Sequence, residues 1–337
     1  MQSILASLMA RRDLSAAEMT AAMEAIMTGA ATPAQIAAFL TALRLKGETV
    51  TELAAGAAGM RRHARCVQAG HRAVVDTCGT GGDGANTFNI STAAALVAAG
   101  AGVCVAKHGN RAVSSACGSA DVLAALGVNI EADPLVMEQC LQEHGIGFLF
   151  APKCHPAMKH AAPVRRELGF RTIFNMLGPL TNPAGATGQV LGVFSADLVE
   201  TFAAALRDLG VRRALVVHGL DGLDEITTTA ATRVCELRNG TLRTYELDAE
   251  QLFGDRDDPG ALTGAGPEVN AQILRAILDG QDGAPRRITL LNAAAAIVAG
   301  ELADRLEDGL VLATQSLDSG AARAKLETLV SCTRDGN

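Results

Sequence analysis

Three stretches of the sequence hold residue types that do chemistry at close quarters. The first is Gly79-Thr80-Gly81-Gly82-Asp83-Gly84, fed by the apolar run Ala73, Val74, Val75 and followed by a polar helix entry, Asn89-Ile90-Ser91-Thr92. The second, Lys107-His108-Gly109-Asn110-Arg111, closes the strand-like run 103–106 and leads to Ser114, Ser115 and Ser119. Glycines without a Cβ let backbone N–H groups converge on one anion, and a helix N-terminus adds its positive dipole end. Two such loops at the ends of neighbouring parallel strands make a site for a highly phosphorylated ligand. The third stretch is Asp224-Glu225, adjacent carboxylates on a glycine-rich loop. With substrate phosphates and water such a pair suits Mg²⁺, and Ser91 offers a neutral oxygen ligand.

Each reading has a plainer alternative. Gly79, Gly81 and Gly84 satisfy the dinucleotide spacing G-x-G-x-x-G, which needs an acid about 20 residues on to hold the ribose hydroxyls. The chain there reads Val105-Ala106-Lys107-His108, which is basic, and the Gly-Lys-Ser/Thr ending of a P-loop is absent. The glycines could also serve tight turns alone. Adjacent acids are commonly solvated surface. Arg165, beside Arg166, reads either as a surface arginine or as a bidentate clamp on a substrate carboxylate. His108, His155 and His160 are proton-transfer candidates or structural histidines, and their spacing matches no metal motif.

The elements that must position these residues follow from periodicity and punctuation. Residues 1 to about 67 read as helix: Ser15 with Glu18 makes a capping box, Thr32-Pro33 restarts a helix with Ile36, Phe39, Leu40 and Leu43 on one face, and Thr51 opens a third. So small a helical piece must pack on the main domain or on a second copy of itself. From Val74 the pattern becomes strand, loop, helix, strand. Gly127 stops one helix, Asp133-Pro134 starts another that ends at His144-Gly145, and 146–150 is the next apolar strand. Residues 151–183 are basic and rich in breakers, a crossing segment between the helical piece and the sheet. Strand 190–194, a helix capped by Asp197 and running to Leu209, and buried strand 214–217 lead into the acidic loop. Asn239-Gly240 marks a hairpin between 234–237 and 242–247, and helices including 269–278 and 289–300 cover the sheet. The fold class is α/β with a mainly parallel sheet.

Composition narrows the function. The chain has 337 residues, 49% hydrophobic and 19% charged, which suits a large buried core. With no Trp, one Tyr and a net charge of −7, it lacks both the stacking platforms and the basic balance of a nucleic-acid binder. Eight scattered Cys without a C-x-x-C pair point to a reducing cytoplasm and away from zinc. The basic residues Arg11 and Arg12 follow the first apolar stretch, the wrong order for a signal peptide, and no uncharged segment long enough to span a bilayer is evident.

Four separated motifs carry a resemblance: Gly79 to Thr92 (GTGGDGANTFNIST), Lys107 to Ser115 (KHGNRAVSS), Asn175 to Pro183 (NMLGPLTNP) and Gly222 to Glu225 (GLDE), with Leu43 to Glu48 (LRLKGE) in the helical part. In this order the chain resembles the anthranilate phosphoribosyltransferase family over nearly its whole length. The resemblance implies a nucleoside phosphorylase-like fold. A helical domain, 1–70, would be completed by helices from about 160–185, and 71–337 would form the α/β catalytic domain. It implies transfer of the phosphoribosyl group of phosphoribosyl pyrophosphate to the amine of anthranilate in tryptophan biosynthesis, with Mg²⁺ as cofactor, in a cytoplasmic homodimer paired through the helices. Carried over residue by residue, the donor contacts are Gly79, Gly82, Asp83, Thr87, Asn89, Ile90, Ser91, Thr92, Lys107, His108, Gly109, Asn110, Arg111, Ala112, Val113, Ser114, Ser115 and Ser119. The anthranilate contacts are Gly79, Asn110 and Arg165, the metal ligands Ser91, Asp224 and Glu225, and Lys107 acts electrostatically with no dedicated acid or base. Cys78 and Cys117 depart from the family pattern and raise the question of redox sensitivity. A pyrimidine nucleoside phosphorylase would need a single-phosphate site and no metal, against Asp224-Glu225. A non-catalytic nucleic-acid-binding relative would need a basic groove.

Overall fold

A computed structural model describes residues 1–70, 73–112 and 116–335. Four helices come first: α1 (Gln2–Met9), α2 (Ala16–Met27), α3 (Pro33–Lys46) and α4 (Val50–Arg62). Capping boxes start the last three, Ser15 with Glu18, Thr32 with Gln35 and Thr49 with Glu52. The helix expected to open at Thr51, α4, thus opens at Thr49. Glu52 is the stronger signal there, because it also takes the Leu14 N–H at 2.8 Å and pairs with Lys46 at 3.0 Å in the helical core.

The rest alternates strand and helix. In order come β1 (Val75–Gly79), α5 (Ile90–Gly100), β2 (Val105–Gly109), α6 (Ser119–Ala125), α7 (Pro134–His144) and β3 (Ile146–Phe150). The crossing segment holds only short helices, α8 (Ala151–Cys154), α9 (Ala162–Leu168) and α10 (Ile173–Leu177), with single 3₁₀ turns between and after them. Then follow β4 (Gly188–Gly192), α11 (Val199–Asp208), β5 (Arg213–Gly219), β6 (Ala231–Arg238), β7 (Thr241–Asp248) and α12 (Glu250–Phe253). The chain closes with α13 (Pro267–Leu278), α14 (Ala284–Ala299), α15 (Leu306–Asp318) and α16 (Ala321–Asp335). Asp197 does not cap α11; it lies in a 3₁₀ turn, 196–198, that feeds the helix at Leu198 without a side-chain cap.

The seven strands form one sheet in the order β3-β2-β1-β4-β5-β6-β7. Strands β1 to β5 are parallel and β6 and β7 antiparallel, so the sheet is mainly parallel. Its parallel strands are short and mostly buried because both faces are covered. Alanine-rich α5 and α14 pack closely on one face, with α15 and α16 behind them. On the other face, α11 and the sheet residues Leu191, Val193, Ala214 and Val216 share a single apolar core with α1 to α4 and with Val164, Ile173 and Phe174 of the crossing segment. The helical part therefore rests directly on the sheet. Asn239 and Gly240 have φ of 49° and 83°, the left-handed pair that a tight hairpin between β6 and β7 requires.

Chain order runs outward from β1 through β2 to β3, then returns to the opposite side of β1 for β4. The carboxyl ends of β1 and β4 mark that reversal, where open α/β sheets leave a crevice for ligands.

Candidate active site

The three chemical stretches leave the sheet at this edge. The glycine-rich loop follows β1, the Lys107–Arg111 loop follows β2, and the acidic loop follows β5. They meet because two strand-end glycines leave room. A Cβ on Gly79 would strike the Asp224 carboxylate, and one on Gly192 would strike the Asp224 backbone. The acidic loop thus lies directly across the ends of β1 and β4. Asp224 Oδ2 accepts the Gly81 N–H at 2.7 Å, and Glu225 Oε1 accepts the Ser91 N–H at 3.1 Å.

Lys107, only 5% exposed, enters from β2. Its Nζ donates to the Thr77 carbonyl and to Ser91 Oγ, the latter at 3.2 Å. Burial pushes its pKa down, while Asp76, Glu225 and Asp224 oppose that shift. Asp76, wholly buried, accepts the His108 N–H at 3.0 Å, and desolvation lifts its carboxyl.

Loss of solvation raises Asp224 to about 7, with the charge of Asp83 adding to the effect. Glu225 rises to about 8, again chiefly by desolvation and then by Asp224. Hard oxygen donors this poorly compensated suit a divalent cation. Among the described residues no group of three or more His, Cys, Asp or Glu is placed to hold a metal. The carboxylate pair needs further oxygens, and Ser91 stands beside it. Cleft-lining Thr92 Oγ1 and His108 Nε2 are buried without a hydrogen-bond partner among the described residues.

A cleft of about 790 Å³ is lined by Gly79, Gly82, Asp83, Thr87, Asn89, Ile90, Ser91, Thr92, Lys107, His108, Gly109, Asn110, Arg111, Ala112, Ser119, Arg165, Asp224 and Glu225. All the expected site residues that are described thus share one cavity; Val113, Ser114 and Ser115 lie outside the described residues. Arg111 turns its guanidinium toward Asp121 at 3.2 Å. Arg165, on α9, lies over the Phe174 ring at 5.4 Å, and burial lowers its pKa.

Of the three candidate histidines, His108 lines the cleft. Its ring lies 5.1 Å from that of His155, and burial lowers the two to about 3 and about 4, so both are neutral at physiological pH. His160 packs against Gly29 in the helical part. Neither departure cysteine is a poised nucleophile: burial pushes the Cys78 thiol far up and Cys117 to about 11.

Sequence reasoning missed two participants. Arg171 stacks on Phe194 at 4.5 Å and donates to the Gly82 carbonyl, filling the space a Cβ at Gly82 would take. The sequence offered only one more arginine in a basic stretch. Asn270, on α13, reaches Asn89 at 3.0 Å. No local pattern marks it.

Similarity decides the family. The model described as "Glycosyl transferase family, a/b domain" matches residues 71–323, and that of the "helical bundle domain" matches 2–64. The anthranilate phosphoribosyltransferase of Desulfosudis oleivorans is 57% identical, with 98% of each chain covered. That of Anaeromyxobacter dehalogenans is 56% identical at the same coverage. The chain belongs to the anthranilate phosphoribosyltransferase family. Among solved structures, the family member from Thermus thermophilus is 46% identical with a TM-score of 0.93, covering 98% of this chain and 99% of that one. The enzyme from Saccharomyces cerevisiae in complex with PRPP and Mg is 28% identical with a TM-score of 0.89, covering 99% and 98%. Both share the small helical domain and the large α/β domain with its mainly parallel sheet. Among the described residues no helix is long and apolar enough to cross a membrane.

Proposed function

We propose that the cleft at the β1–β4 reversal holds both substrates of the family reaction, with the glycine-rich and Lys107 loops on the sugar donor and Arg165 on the acceptor. The chain is a glycosyltransferase: it moves the phosphoribosyl group of phosphoribosyl pyrophosphate to the amine of anthranilate, giving N-(5-phosphoribosyl)anthranilate and pyrophosphate in tryptophan biosynthesis. Mg²⁺ is the cofactor. The observation that supports these roles best is the meeting of Asp224 with the Gly81 N–H and of Glu225 with the Ser91 N–H.

The roles follow from charge. Breaking the C1–O bond of the ribose passes through an oxocarbenium-like state, and negative charge gathers on the departing pyrophosphate. Asp224, Glu225 and Ser91 would hold Mg²⁺, which when bound neutralises diphosphate charge as a Lewis acid. Lys107 and the N–H groups of the glycine-rich loop stabilise that same charge from the protein side. The anthranilate amine is an aniline, neutral at pH 7 with its lone pair available, so no strong general base is required. Arg165 holds the anthranilate carboxylate and Asn110 orients the amine, and positioning does the rest. Following the fluorescence of anthranilate as it is consumed, with and without Mg²⁺, tests the assignment; consumption that is indifferent to Mg²⁺ contradicts it. In the same assay Arg165→Ala raises the KM for anthranilate about 10- to 100-fold, on the order expected for a charge-assisted bidentate contact, and that for the donor by less than threefold. Equal changes in both would remove Arg165 from the acceptor site.

The domain division at 70/71, with helices from about 160–185 completing the helical domain, belongs to this proposal. The core that Val164, Ile173 and Phe174 share with α1 to α4 supports it. A cytoplasmic homodimer belongs to the proposal as well, and its pairing through the helices is supported by Met9 and Leu45, which are 78% and 75% exposed on α1 and α3. Sedimentation as a monomer at micromolar concentration would exclude the dimer.

A further inference from the structure

We propose that Asn270 is a positioning residue for the sugar donor: it orients the Asn89 carboxamide at the start of α5 and locks it to the neighbouring loop. The inference rests on the donor site proposed above. Asn270 lies in the first turns of α13 and is 1% exposed. Its Oδ1 accepts the Ala265 N–H at 2.8 Å, and its Nδ2 donates to Asn89 Oδ1 at 3.0 Å. Asn89 Nδ2 then donates to the Cys117 carbonyl, 3.1 Å away, in the loop after β2. The chain of bonds has one polarity. A backbone N–H that can only donate fixes one end, and a carbonyl that can only accept fixes the other.

This arrangement goes against the ordinary behaviour of an asparagine at a helix start. Asn89 is the residue that precedes α5, and the side-chain oxygen of an N-cap asparagine normally accepts the N–H of the second or third helical residue. Here it makes no such bond. The Ser91 N–H is taken by Glu225 and the Thr92 N–H by the Asn89 carbonyl at 3.1 Å. Asn89 therefore does not cap α5 with its side chain, and the side-chain oxygen that reaches this helix end is the Glu225 carboxylate of the proposed metal site. The same C-terminal segment also holds the loop's backbone: Phe88 N–H donates to Leu262 at 3.1 Å and Gly264 N–H to Asn86 at 2.8 Å. Asn270 adds the side-chain element. It determines where the Asn89 carboxamide points and joins the two donor loops through it.

Without Asn270, the Asn89 carboxamide loses the bond that orients it, and the side-chain tie it makes to the Cys117 carbonyl across the two donor loops loosens. Asn270→Ala is expected to raise the KM for phosphoribosyl pyrophosphate on the order of tenfold, as befits the loss of a buried side-chain hydrogen bond, with the anthranilate KM and kcat changed by less than about twofold. In an Asn89→Ala background, where no carboxamide remains to be positioned, the same substitution is expected to cost less than about twofold. Should Asn270→Ala fail to fold, Asn270→Asp keeps the acceptor for Ala265 and loses the amide donor that serves Asn89 and the Cys117 side chain, and the same pair of expectations applies. Simple charge repulsion by the aspartate would persist in the Asn89→Ala background. An equal penalty in both backgrounds, equal rises in both KM values, or an unchanged donor KM overturns the role of Asn270. If Asn89→Ala alone leaves the donor KM unchanged, the donor site fails as well.

Discussion

Glu225→Gln and Asp224→Asn are each expected to lower kcat/KM for the sugar donor by about 10²–10³-fold, the several kcal/mol that a positioned metal charge contributes to such a step. Thermal stability of the ligand-free protein at pH 8 should be unchanged or higher. The sign follows from the carboxyl groups' own positions. Raised to about 7 and about 8 in the folded chain, they bind more protons there than in the unfolded chain. Stability contributed by the protonated forms is therefore lost as pH rises from the ordinary carboxyl range through these values, and neutral isosteres escape that loss. The same shift makes cation binding release protons, so apparent Mg²⁺ affinity should strengthen from pH 6 to pH 8.5 in titration calorimetry. A destabilised amide variant, or Mg²⁺ affinity that falls with pH, would show that the pair is structural.

Lys107→Met should cost about as much, about 10²–10³-fold, but mainly in kcat. Methionine preserves the apolar stem that fills the space under the cleft, while the charge beside Ser91 Oγ is lost. Departing pyrophosphate carries more negative charge than bound donor, so the interaction matters most in the transition state. An unchanged kcat with a raised donor KM would reduce Lys107 to a ground-state contact. The ligand-free variant leaves Asp76 without its neighbouring cation, but desolvation already favours the protonated acid at that position.

The parts legible in the sequence are those written in short stretches. Glycine spacing, the helix entry at Asn89 to Thr92 and the adjacent acids are local, and their meeting at one edge follows from parallel strands feeding loops at a common end. Helix starts with capping boxes at Ser15 and Thr32 were legible for the same reason. What escaped is long-range. Arg171 and Gly82 are 89 residues apart, and Asn270 and Asn89 are 181 apart. Composition cannot single out one arginine among the many of the crossing segment, nor one asparagine on a covering helix. Thr49 was missed as a cap because Thr51, nearby, is the same residue type; the choice is made by Glu52, whose carboxylate reaches the Thr49 N–H at 2.8 Å. The cleft-side roles of Gly79 and Gly192 likewise appear only once Asp224 lies against them.

The most direct test of the central claim is calorimetric titration of phosphoribosyl pyrophosphate with Mg²⁺ into the natural chain and into the Lys107→Met/Glu225→Gln double variant, both shown folded by thermal melting. Binding to the natural chain and at least a hundredfold weaker binding to the double variant is the expected result. Undiminished binding to the double variant would mean that the donor's diphosphate is held somewhere other than over Lys107 and the acidic pair.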